Sequence, residues 1–161
     1  MKNIESYNFK DFVFKTLSDT KGYSELTEIQ KEVIPVALKK KNIIAKSSTG
    51  SGKTDAFLVP IMENLYLDSE NVEVIIVAPT RELASQIYAN AMDYASNNEK
   101  LRIKLLMGGF DRKRDLNKKT AAPTLVFAAV LLLFNSFSDA VQSFRKMLLP
   151  LSILIFDKSK F

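Results

Sequence analysis

The sequence contains no cysteine and no histidine. The first absence removes disulfides and thiol catalysis, and the two together remove the usual zinc sites and imidazole acid–base chemistry. Any chemistry must come from carboxylates, lysines, hydroxyls or a bound metal. Long apolar runs are also missing. The longest, Leu125–Phe134 (LVFAAVLLLF), is about half of the ~20 residues that a membrane-spanning helix needs, so it reads as a buried strand entering a core helix. The first ten residues, MKNIESYNFK, carry Glu5 and no apolar centre, unlike a secretory leader. No repeat or low-complexity stretch is visible. A cytoplasmic protein with no membrane association is expected.

What is present fits one globular domain: 161 residues, 47% hydrophobic and 25% charged. There are 23 basic against 18 acidic residues, a net charge of +5, which biases the chain mildly toward polyanions. Short apolar runs rich in β-branched residues alternate with longer helical patterns. Asn42–Ser47, Val72–Pro79, Arg102–Met107, Thr124–Ala128 and Leu151–Phe156 read as strands; Glu25–Lys40, Gly52–Tyr66, Arg81–Ala95 and Asp139–Leu148 read as helices. Pro35 and Pro60 should kink the first two helices or shift their ends. The strand runs are continuous rather than alternating, which predicts burial on both faces. The expected fold is therefore α/β, a mostly parallel sheet flanked by helices on both faces. In such sheets ligands gather at the C-terminal ends of strands.

The stretch SSTGSGKT, Ser47–Thr54, follows the first strand and opens a helix. Gly50 and Gly52 permit the torsions of a loop whose amides point inward at phosphates, together with Ser48, Thr49 and Ser51. Lys53 supplies a cation for the β- and γ-phosphates, Thr54 a hydroxyl for magnesium, and the helix N-terminus a favourable dipole. Ser47 stands where the first glycine of the phosphate-loop pattern usually sits. A Gly/Ser turn with a lone exposed lysine is the plainer alternative, which the flanking strand and helix disfavour. The loop leaves the nucleotide and the reaction open.

Three more stretches surround it: GYSELTEIQ (Gly22–Gln30), APTRELASQI (Ala78–Ile87) and MGGFDRKR (Met107–Arg114). In this order, with the phosphate loop, they resemble the N-terminal RecA-like domain of DEAD-box ATP-dependent RNA helicases. The resemblance runs from about Phe9 to Phe161, and residues 9–30 are similar to the family's Q-motif region. A bare phosphate loop is shared with many kinases and transporters, whereas this combination is not.

The resemblance implies roles residue by residue. Gln30 would read both the donor and the acceptor on adenine's edge and so select ATP over GTP. Thr27 is its companion hydroxyl, and Leu26 replaces the usual proline before it. Phe9, with Phe12 as second choice, would stack on the base. Pro79, Thr80 and Arg81 would grip the RNA backbone at a helix N-terminus. Gly108 and Gly109 would let the backbone approach an RNA strand closely. Taken alone, these residues also read as an ordinary Thr80 helix cap and a plain glycine turn. The basic stretch Asp111–Lys119 reads as a solvated face. RNA contacts of this kind are largely independent of base sequence and sensitive to salt.

Two departures qualify the resemblance. The family's Thr-Pro-Gly-Arg element aligns with Ala129-Val130-Leu131-Leu132, which removes an RNA anchor. Its Asp-Glu-Ala-Asp aligns with Asp157-Lys158-Ser159-Lys160. Asp157 can hold magnesium opposite Thr54. Lys158 occupies the place of the glutamate that polarises the attacking water, and a charged lysine accepts no proton. The later first-domain segment and the second RecA-like domain, with its arginine fingers, are not in the sequence. The expectation is an ATP-, Mg2+- and RNA-binding partial domain, 1–161, in which Lys53 and Asp157 would carry what remains of ATP hydrolase activity. A second RecA-like domain or another protein would complete it. The alternative is a non-catalytic, nucleotide-dependent RNA-binding or interaction module.

Overall fold

A computed structural model of the chain describes residues 4–106, 123–129 and 153–157, with residues 129 and 153–157 described by their backbone. The described residues divide into two compact units, one formed by residues 4–64 with 153–157 and the other by 65–106 with 123–129.

In the first unit a 3-10 turn, Ile4–Tyr7, precedes helix α1 (Asp11–Lys15), which continues as a π-helical turn over Thr16–Thr20. Helix α2 (Glu28–Leu38), strand β1 (Ile43–Ser47) and helix α3 (Lys53–Asn64) follow. Every residue of α3 from Asp55 to Met62 is buried. A helix apolar around its whole circumference must be enclosed, and here α2 and α1 pack against it. Val33 of α2, Ala45 of β1 and Ala56 of α3 form a core cluster, with Ile29 and Ile43 against it. Each fully buried larger side chain, such as Leu58 or Val59 at 0% exposure, contributes about 1.5–3 kcal/mol. Strand β5 (Ile153–Asp157) pairs parallel to β1, in a register that sets Asp157 beside Ser47.

The second unit holds β2 (Val74–Ala78), α4 (Arg81–Ser96), β3 (Ile103–Leu106) and β4 (Leu125–Ala129), with the strands in the order β2-β4-β3, all parallel. Thr124, fully buried at the head of the central strand, aligns the three strand starts. Its carbonyl accepts from the N–H groups of Glu73 and Val74, while its own N–H and hydroxyl donate to the Arg102 carbonyl. Helix α4 packs on these strands, with Tyr88 edge-on to Phe127 at 5.7 Å between ring centroids.

The parallel α/β expectation holds, and the five strands fall within a residue or two of their expected ends. Pro35 and Pro60 lie inside α2 and α3, and both helices are shorter at each end than expected. One expectation changes. Burial on both faces applies to β4, where the consecutive residues Leu125, Val126 and Phe127 are all buried, and not to β1 or β2. In those strands buried or half-buried positions alternate with exposed Ile44, Ile75 and Val77. The expected helix Asp139–Leu148 lies outside the described residues. Among the described residues no helix is long and apolar enough to cross a membrane.

Candidate functional site

The loop between β1 and α3 is built by its glycines. Gly50 and Gly52 take φ values of +78° and +90°, torsions that L side chains rarely adopt. At Gly52 space also matters, because a Cβ there would lie 2.6 Å from Gln30 Nε2 and 2.9 Å from Thr27 Oγ1. The Ser47 hydroxyl donates to Ser51 Oγ at 2.6 Å, closing the loop across its base. Lys53 folds over the same loop, its ammonium donating to the carbonyls of Ser47 at 2.9 Å and Ser48 at 2.6 Å. Ser48, Thr49 and Gly50 are exposed, whereas Ser51, Gly52, Lys53 and Thr54 are half-buried at the helix start. The site thus presents a cation, a hydroxyl and the N-terminal turn of a helix, a donor set suited to a metal-bound polyphosphate. Asp157 ends β5 in register with Ser47 at the loop's entry, and Lys158 lies outside the described residues.

Gln30 is fully buried in the first turn of α2. Its Oε1 accepts from the Thr27 N–H at 2.9 Å, one half of a capping box, and its Nε2 donates to the Gly52 carbonyl at 3.1 Å. The Gly52 carbonyl also receives the Ala56 N–H at 3.2 Å, the first bond of α3. Gln30 therefore joins the start of α2 to the start of α3. Among the described residues these two bonds use one N–H and one lone pair of an amide that has two of each. Leu26 is buried just ahead of this turn.

Phe9 lies in the link before α1, 9% exposed, with Tyr7 stacked on one face at 5.4 Å between centroids and 6° between planes. Phe12 is buried in α1.

The start of α4 has a different character. Pro79, Thr80, Arg81, Glu82 and Leu83 are all exposed. Thr80 is an N-cap, its Oγ1 accepting from the Leu83 N–H at 3.2 Å, and Arg81 stands in solvent in the first turn. Gly108 and Gly109 lie outside the described residues, as do Met107–Arg114 generally and Val130–Leu132.

Sequence reasoning did not single out three residues at this site. Asp55, next after Thr54, is 4% exposed and accepts from the Tyr23 hydroxyl at 2.8 Å. The Lys21 ammonium lies 3.1 Å from its Oδ1 and 3.3 Å from its Oδ2. An acidic residue in a helix's first turn, and two long polar side chains flanking Gly22, were the available signals.

A family model described as DEAD/DEAH box helicase matches residues 27–158, from Thr27 beside the loop to the residue after Asp157. The chain belongs to this family. Among curated relatives, the DEAD-box ATP-dependent RNA helicase CshB of Bacillus subtilis is 40% identical over 125 residues, 76% of this chain and 28% of that protein. ATP-dependent RNA helicase DRS1 of Candida albicans is 36% identical over 142 residues, 85% of this chain and 23% of that protein. A solved DEAD box protein from the hyperthermophile Methanococcus jannaschii superposes with a TM-score of 0.77 at 27% identity, over 96% of this chain and 49% of that one. The chain thus spans less than a third of these curated relatives and about half of the solved DEAD-box chain, and it corresponds to the N-terminal RecA-like part of the family.

Proposed function

We propose that this DEAD-box chain, as a single partial RecA-like domain over residues 1–161, binds Mg–ATP and RNA, and that hydrolysis by the chain on its own is impaired. One observation supports the nucleotide reading above all. The buried Gln30 donates to the carbonyl of Gly52, the residue that opens the phosphate-loop helix. A base reader and a phosphate reader joined by one hydrogen bond suit a ligand that has both a base and phosphates. Lys53 would exchange the Ser47 and Ser48 carbonyls for β- and γ-phosphate oxygens. Thr54 and Asp157 would hold Mg2+, which neutralises developing charge on the phosphates. Ser48, Thr49, Gly50, Ser51 and Gly52 would line the phosphates, and Phe9 would offer the base the face opposite Tyr7. Pro79, Thr80 and Arg81, with Gly108 and Gly109, would hold the RNA backbone.

Lys158 favours the second reading, a nucleotide-dependent RNA-binding module without turnover. In the family pattern a glutamate there orients water, and a charged lysine cannot take up its proton. Phosphate release from the purified chain, with and without RNA, beside Lys53→Ala and Lys158→Glu, tests both. The expected result is release near background in the unmodified chain and a gain in Lys158→Glu. RNA-stimulated release in the unmodified chain that Lys53→Ala abolishes would overturn the impaired-hydrolysis reading. Equal stabilisation of the chain by ATP and GTP would remove the adenine role of Gln30.

A further inference from the structure

We infer that Asp55 is a positioning residue for nucleotide binding. Through Lys21 and Tyr23 it holds the adenine-side segment, residues 21–30, in a fixed offset from the phosphate loop. The inference rests on the nucleotide reading above and adds a residue outside the motifs that carried it.

The cluster is costly by its chemistry. The side chains of Asp55 and Lys21 are only 5% and 9% exposed, and a carboxylate withdrawn from water loses much of its hydration. From Ala56 to Met62 the positions that follow on α3 are all buried and apolar, so a nonpolar residue at 55 would pack there at less cost. A buried ion pair adds little net stability, but it fixes geometry, because both carboxylate oxygens are occupied. Lys21 lies within reach of Oδ1 and Oδ2, and the Tyr23 hydroxyl donates to Oδ2. Gly22 makes the convergence possible. Its φ is +67° and nothing lies within 4 Å of a Cβ built on it, so torsion rather than space requires glycine between the two partners.

The placement gives the cluster its meaning. Segment 21–30 grips the start of α3 twice: Gln30 holds the Gly52 carbonyl, and Lys21 and Tyr23 hold Asp55. Between these two grips lie Lys53 and Thr54, the cation and hydroxyl of the phosphate site. A ligand that spans base and phosphates needs the two grips in register. A ligand made only of phosphates does not.

That difference is the test. Mg–ATP and Mg–tripolyphosphate affinities are measured by calorimetry for the unmodified chain, Lys53→Ala, Asp55→Asn and Tyr23→Phe. Tyr23→Phe removes one hydroxyl and keeps the ring, so it reports even if Asp55→Asn fails to fold. The expected result is about a tenfold loss of ATP affinity in either clamp variant, with tripolyphosphate affinity held within about twofold. Equal losses for both ligands, or no loss for either, in a folded clamp variant overturn the inference and leave the nucleotide reading intact. An unmodified chain that binds no Mg–ATP, or binds it as well after Lys53→Ala, overturns the nucleotide reading and this inference with it.

Discussion

Helices α3 and α4 each follow a parallel strand in the chain, and both first turns carry residues of types suited to phosphate recognition, yet they are held in opposite ways. The first turn of α3 is fastened from outside itself, by Gln30 at Gly52 and by Lys21 and Tyr23 at Asp55. The first turn of α4 is exposed from Pro79 to Leu83, and the Thr80 hydroxyl caps its own helix. A clamped turn is preorganised for one ligand geometry. An exposed turn with a solvent-facing guanidinium can follow a flexible polyanion along its backbone. Under the proposed function the contrast would suit a small nucleotide in one place and a long nucleic-acid strand in the other.

The comparison breaks most readily at Gly52. Gly52→Ala must hold a φ of +90° and push its Cβ to 2.6 Å from Gln30 Nε2, an atom that is buried and already bonded. The torsion alone costs about 1–3 kcal/mol, and a chain of this size loses about 2–4 °C of thermal midpoint per kcal/mol. The expected outcome in a melting experiment is a drop of several degrees, with loss of the stabilisation given by ATP. Gly50→Ala is the control. It shares a positive φ of +78° but meets nothing within 4 Å, so it should cost the torsion only. If both variants lose the same amount, the Gln30 contact is not restrictive.

Gln30→Ala comes next. It strands the Thr27 N–H, whereas the Gly52 carbonyl keeps the Ala56 N–H. The expected loss is about 1–3 kcal/mol in denaturant unfolding, together with a collapse of any preference for ATP over GTP. Full retention of that preference would confine Gln30 to capping.

These two residues also show how much could be read beforehand. The glycine loop was legible because residue type and spacing carry its chemistry, Gln30 stood out only through the family resemblance, and the parallel α/β order was legible because apolar runs and helical patterns alternate. Asp55 was not legible in the same way. Its importance depends on Lys21 and Tyr23 converging from more than thirty residues away, and a tertiary contact of that kind leaves no local pattern. Pro35 and Pro60 sit inside helices because tertiary packing offsets a lost backbone bond, with α3 enclosed from Asp55 to Met62. The two-sided burial expected of every strand failed for β1 and β2. An apolar run reports hydrophobicity, and which faces become covered is decided by neighbouring elements.

Smaller effects are expected at α4. Thr80→Ala removes the N-cap acceptor for the Leu83 N–H and should cost about 1 kcal/mol, with Thr80→Ser close to neutral. Arg81→Ala should leave thermal stability unchanged and weaken RNA binding, lowering the slope of log affinity against log salt by about 1. A marked loss of stability in Arg81→Ala would mean that the turn is fastened after all, and the contrast with α3 would fail.

The smallest effect lies at the far end of α3, where Glu63 Oε1 accepts from the Lys10 N–H at 2.6 Å at the start of α1. Partial burial raises the Glu63 pKa above its ordinary 4.5, outweighing the Lys10 hydrogen bond and charge, which pull it down. The folded state therefore takes up a proton before the unfolded state as pH falls. This group's contribution is fully present below the unfolded value and is lost as pH rises through the raised folded value. Glu63→Gln keeps an amide oxygen for the Lys10 N–H and removes the buried charge. In melts between neutral pH and about pH 4, the variant should match or exceed the unmodified chain at neutral pH. Its advantage should shrink on acidification, as Glu63 becomes neutral. An advantage that is flat across the range would show that the Glu63 carboxylate carries no burial penalty, and that the clamped character of α3 is confined to its N-terminal turn.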